Sequence, residues 1–164
     1  MNWSIRPAMP SDAPTLVQLI LELAEYEKLL DEAHPDADAL RRQLAPDAQP
    51  RCDALIAETD DGTPAGFALF FPNYSTFLTN FGLYLEDLYV RPDYRGQGIG
   101  FALLQRVAQI ADERDCQRLD WAVLDWNTPA IEFYEQLGAV PLDDWTTMRL
   151  DRAAIASVAT AERA

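Results

Sequence analysis

Between Arg91 and Gly100 the chain reads RPDYRGQGIG, after the apolar stretch Tyr84 to Val90 (YLEDLYV) and just ahead of Phe101-Ala102-Leu103-Leu104. Glycines in front of a helix suit a phosphate. The first helical turn leaves backbone N–H groups unpaired at the positive end of the dipole, and glycines let an anion approach without meeting side chains. Arg95 adds a fixed positive charge. Spacing then separates the nucleotide loops. A P-loop requires Lys and Ser or Thr after its last glycine, whereas Phe101 and Ala102 follow Gly100. A dinucleotide fingerprint requires G-x-G-x-x-G early in a parallel βαβ unit, whereas G-x-G-x-G stands here past the midpoint. Arg95-Gly96-Gln97-Gly98-Ile99-Gly100 instead reads R-x-x-G-x-G. Two further groups carry charge. Glu86 and Asp87 interrupt the apolar stretch, and on a regular strand neighbours point to opposite faces, so the pair is not expected to share one site equally. Glu25 and Glu27, flanking Tyr26, end a helical pattern, where acids oppose the dipole at a cost of a few tenths to ~1 kcal/mol each. A cationic ligand would relieve that repulsion.

The elements that must position these residues follow from pattern. Trp3 to Arg6 reads as a strand ended by Pro7. Ser11 or Asp12 can cap a helix with Pro14 in its first turn, whose Leu16, Leu19, Ile20, Leu23 and Ala24 repeat at helical spacing. Asp36 or Asp38 starts a short helix running to Leu44. Ala54 to Glu58 and Ala65 to Phe71 read as a hairpin around Asp60-Asp61-Gly62. Pro72 to Gly82 reads as an aromatic-rich connection suited to a mobile lid, and Leu83 to Val90 as the strand feeding the glycine loop. Ile99, Ala102, Leu103, Val107 and Ile110 give the next helix its buried stripe. Leu119 to Leu124 is a further strand, and Thr128-Pro129 starts a helix that stops at Gly138. Ala139 to Leu142 and Thr146 to Leu150 are expected to close the sheet, with an alanine-rich helix from Asp151 to Ala164.

The length of 164 residues fits a single domain, 1–164, and 49% apolar residues support a globular core. A net charge of -14 disfavours nucleic acid and anionic membranes as partners and favours cations. Lys28 is the only lysine and alanine is abundant, so a compositional bias also contributes to that charge. His34 is the only histidine, and Cys52 and Cys116 have no partner at metal spacing, so neither a zinc site nor a histidine-based triad is expected. The N-terminus carries no basic segment followed by an apolar run. A cytoplasmic protein with reduced thiols is the expectation.

The motif Arg95 to Gly100, together with LAEYE, YLEDLYV, RPDYRGQGIG and WNTPAIEFYEQLGA, resembles the GNAT family of N-acetyltransferases, and within it the diamine (spermidine/spermine) branch. The resemblance spans nearly the whole chain. It implies an α/β (α+β) fold, with helices on both faces of a mixed, mostly antiparallel twisted sheet of about seven strands and a splay between strands 4 and 5. It implies acetyl-CoA as co-substrate, contacted by Leu88, Tyr89, Val90, Arg95, Gly96, Gln97, Gly98, Ile99, Gly100, Asn127 and Tyr134, with no metal. A small cationic amine would meet Tyr26, Glu27, Glu86 and Asp87. By the resemblance Glu86 is the base relay, Asp87 a substrate contact and Tyr134 the general acid, although the residues themselves leave Glu86 and Asp87 open as the base. Asn127 would bind coenzyme A or cap its helix. A homodimer is implied as well. In one respect the sequence departs from that branch: Pro72 to Leu85 holds no acid, so a lysine-like amine fits as well as a full-length polyamine. A peptide N-acetyltransferase and a non-catalytic acyl-CoA-binding module are the alternatives.

Overall fold

The structure, a computed structural model, describes residues 2–161. The chain divides into two compact units, Met1–Leu124 and Asp125–Ala164. In the first unit the elements run β1 (Trp3–Pro7), α1 (Ala13–Tyr26), α2 (Ala37–Gln43), β2 (Asp53–Thr59), β3 (Pro64–Ser75), β4 (Asn80–Val90), α3 (Ile99–Glu113) and β5 (Leu119–Asp120). The sheet order is β1-β2-β3-β4-β5, antiparallel except for the β4–β5 pair.

Alternation along the strands sorts the core into two layers. Ala54, Ile56, Phe67, Leu69 and Tyr89 form one cluster with Leu16, Leu19 and Leu23 of α1 and Leu40 of α2. The intervening residues Leu55, Ala68 and Phe70 are also buried, and so are Ile99, Leu103 and Val107 of α3. Arg114, just past α3, lies 6.0 Å over the Phe70 ring, which places that helix against the opposite face. Helices therefore cover both faces of the sheet. Asp36 caps α2 by accepting from the N–H groups of Asp38 and Ala39, as the sequence indicates. Asp12 takes the N-cap position of α1 but makes no capping bond with its side chain, which pairs with Arg6 instead.

Three expectations are corrected. Pro72 to Gly82 is mostly strand rather than a lid: β3 continues to Ser75, β4 begins at Asn80, and only 76–79 turn. Pro72 is tolerated because β2 ends opposite Phe70, so beyond that point β3 has one bare edge where a missing N–H forfeits no ladder bond. The expected strand 119–124 pairs only at Leu83↔Leu119 and Tyr84↔Asp120. The sheet has five strands rather than seven, since 139–142 and 146–150 form no strand among the described residues. In the second unit α4 (Thr128–Gln136) ends at Gly138 with φ 91°, the left-handed stop expected there, and α5 (Arg152–Thr160) follows. The end of the expected terminal helix, 162–164, lies outside the described residues.

Candidate active site

The acid pair owes its geometry to a β-bulge in β4. Across the β3–β4 ladder Phe70 faces Leu85 and Leu69 faces Asp87, which leaves Glu86 as the extra residue with no partner. Before the bulge, Tyr84 faces Phe71, on the same side of the sheet as α1, and their rings lie 5.4 Å apart. Glu86 shares that parity. After the bulge, Asp87 faces Leu69 and Tyr89 packs in the α1 cluster. Both acids therefore face α1, and the expectation that neighbours point apart fails because the ladder slips by one residue between them.

Glu27, the residue that ends α1, completes an acidic group. Asp87 is half-buried, and its carboxyl is pushed up to about 7, first by burial and then by the charges of Glu86 and Glu27. Burial also raises Glu27. Glu86 itself is exposed. The Tyr84 phenol is pushed up by burial, with Glu86 and Asp120 adding to it. Asp87 is thus about half protonated near neutral pH, which suits both exchange of a proton and binding of a cation.

Beyond the end of β4 stands the glycine loop. A 3₁₀ turn over Pro92–Tyr94 leads to Gly96 and Gly98, with φ of 73° and 83°, a left-handed backbone that side chains disfavour. Gly98 is the N-cap of α3, and the first helical bond runs from Ala102 N to Gly98 O, so the N–H groups of Ile99, Gly100 and Phe101 precede the ladder. A Cβ at Gly96 or Gly98 would meet no atom within 4 Å, so the loop is open on its outer side. Gln97 reaches back to the Asp93 carbonyl at 3.5 Å. Arg95 donates through Nε to the Val90 carbonyl at 2.9 Å, while its Nη atoms have no acceptor among the described residues. Leu88, Tyr89 and Val90 pair with β3 on one edge, and beyond Tyr84 their other edge meets no strand among the described residues. A bare strand edge beside an open, cationic glycine loop fits acetyl-CoA. The edge can take an extended amide-bearing arm, as in strand addition, and the loop can take a pyrophosphate.

The Tyr26 ring lies under the Arg95 guanidinium, 4.6 Å from Cζ to ring centroid, beside the glycine loop. In the second unit Tyr134 is half-buried on α4, its ring 5.2 Å from that of Phe133. Asn127 is buried at the N-cap of α4, where its side chain makes no capping bond and its carbonyl accepts from the N–H groups of Ala130 and Ile131. Sequence reasoning missed a clamp. Arg91 grips Glu22 of α1 through Nε and Nη2 at 2.8 and 2.7 Å and gives Nη1 to the Pro64 carbonyl at 2.6 Å. No pattern in the sequence joins these residues, which lie 69 positions apart.

Comparison with known proteins identifies the family. The chain matches the model of the acetyltransferase (GNAT) family over residues 17–139. It is similar to the thialysine N-epsilon-acetyltransferase of Bos taurus, 39% identical over 165 residues that cover 94% of this chain and 96% of that protein. It is also similar to an L-ornithine N5-acetyltransferase of Arabidopsis thaliana, 35% identical over 153 residues that cover 91% of this chain and 67% of that protein. Among solved structures, an integron cassette protein from the mobile metagenome of V. cholerae superposes with a TM-score of 0.79 at 26% identity, over 98% of this chain and 99% of that one. The chain belongs to the GNAT family and is an acetyltransferase that acts on amines.

Proposed function

We propose that the protein transfers an acetyl group from acetyl-CoA to the terminal amine of a small lysine-like or diamine substrate. The observation that carries this reading is the acidic group of Glu27, Glu86 and Asp87 at the bulge of β4, with the anion-binding loop following the end of the same strand. Acetyl-CoA supplies the activated acyl group; this chain's residues bind, orient and move protons. Arg95 and the N–H groups at the start of α3 hold the pyrophosphate, the free edge at Leu88 to Val90 holds the extended arm, and Asn127 adds a contact.

An amine of pKa near 10.4 is free base in roughly one molecule in 2,500 at pH 7, so the site must take a proton before the nitrogen can attack. The Glu86–Asp87 pair takes it. Asp87 sets the pH at which the pair accepts, and exposed Glu86 relays the proton to solvent. Tyr134 then protonates the departing thiolate. The absence of acid from Pro72 to Leu85, and relatives named for thialysine and L-ornithine, favour a short amine over a long polyamine. The family match spans both units, which supports one transferase domain. Exposed Val140, Leu142, Trp145 and Met148 support a homodimer, and sedimentation as a monomer at working concentration would exclude it.

The test is free-thiol release from acetyl-CoA with thialysine, lysine, ornithine, putrescine, spermidine and spermine. Turnover highest with the amino-acid amines is expected. No release with any of them, with coenzyme A still bound, would favour the peptide-acetylating or non-catalytic reading.

A further inference from the structure

Tyr26 is expected from the sequence to touch the amine, yet its ring serves the other substrate's loop. Arg95 is held by three contacts: Nε on the Val90 carbonyl at 2.9 Å, the Tyr26 ring at 4.6 Å and the Tyr89 ring at 5.9 Å. One hydrogen bond fixes where the side chain turns, and the ring faces fix the plane of the guanidinium. The Nη atoms are left over, in the loop that carries Gly96 and Gly98. Arg91, four residues earlier, is already committed to Glu22 and Pro64, so Arg95 is the arginine of this loop with donors to spare.

We propose that Tyr26 is a positioning residue for the acetyl donor: it holds Arg95 in the orientation that meets the pyrophosphate, and so governs donor affinity rather than amine affinity. This rests on the acetyl-CoA reading of the loop. A free arginine loses rotamer freedom when it engages a phosphate, and an arginine already stacked and tethered has lost that freedom beforehand. The contact also joins α1 to the donor loop one helical turn beyond the Arg91–Glu22 clamp.

The experiment is calorimetric titration without amine, using coenzyme A and pantetheine, which lacks the pyrophosphate. Tyr26→Leu is expected to weaken coenzyme A about two- to five-fold, the range of an exposed cation–π contact, and to leave pantetheine unchanged. Tyr26→Phe, which keeps a ring face, retains coenzyme A affinity. In an Arg95→Gln background Tyr26→Leu has no further effect on coenzyme A, a second measurement that does not depend on pantetheine heats. With saturating donor, the KM for amine is the same in Tyr26→Leu as in the parent. Equal loss for both ligands, an undiminished effect in the Arg95→Gln background, or a raised amine KM with intact coenzyme A affinity overturns the proposal. Failure of the parent protein to bind coenzyme A would instead overturn the family reading of the loop.

Discussion

At the scale of single residues, the proposed reaction asks Asp87 to do two things that oppose each other. Its carboxyl is held at about 7 in the fold, against about 3.9 in an unfolded chain. Because the folded value is raised, its contribution to stability is full below about 3.9 and declines as pH climbs through about 7. Proton acceptance has the reverse sign, since only the ionised form can take a proton. Asp87→Asn is therefore expected to raise the melting temperature at pH 8, leave it nearly unchanged at pH 4, and abolish the limb of kcat/KM that rises through about 7. Persistence of that limb in Asp87→Asn, with its loss in Glu86→Gln, would transfer the titration to Glu86. Tyr134 calls for a different signature. Tyr134→Phe should lower kcat by roughly 10²–10⁴ with coenzyme A affinity intact, the usual contribution of a general acid. Unchanged turnover would remove it from the chemistry.

Elements explain what the sequence could and could not disclose. The glycine loop was legible because its chemistry is local: Gly96 and Gly98 adopt the positive φ that their type permits, and α3 starts where the apolar stripe does. The bulge was not. YLEDLYV reads as an apolar strand interrupted by two acids, and only the partner strand, by offering Leu69 and Phe70 to three residues, reveals that one is extra. The clamp on α1 left no trace in the sequence for a related reason, since residues 69 positions apart are joined by topology rather than by pattern. It carries a testable load. Arg91 holds the Glu22 carboxyl below its ordinary range, so its stabilisation is present above the unfolded value of about 4.3 and is lost as pH falls through the lower folded value. Glu22→Gln should cost about 1–3 kcal/mol in urea unfolding at pH 7, as charged hydrogen bonds do, and progressively less as the pH is lowered below about 4. An equal loss at both pH values would mean that the bonds, and not the charge, hold the helix.

Over the whole molecule, the charge of -14 acts at distances that no single contact reaches. Cationic substrates should be drawn toward the acidic group at rates that fall with ionic strength. The kcat/KM of a dication such as putrescine is expected to drop more steeply with added salt than that of a monocationic alkylamine, with kcat unaffected; parallel curves would assign substrate capture to local contacts alone. The sheet and its two helical layers were readable from periodicity, but the last two strands were not there to be read. Val140, Leu142 and Met148 have the composition of strands, yet a strand also needs an edge to join, and their own unit offers none among the described residues. The two-pair ladder between β4 and β5 makes the same point in reverse, for the residues of 121–124 are strand-like and stay apart.

The single unpartnered residue in β4 also sets what evolution can do with this chain. Removing Glu86 would let β3 and β4 pair without a gap, and the sheet would gain a regular ladder. Selection for thermal hardiness alone would move in that direction. Under the proposed mechanism the same deletion would leave one acid where two are used, so stability and chemistry would pull on this one position in opposite directions.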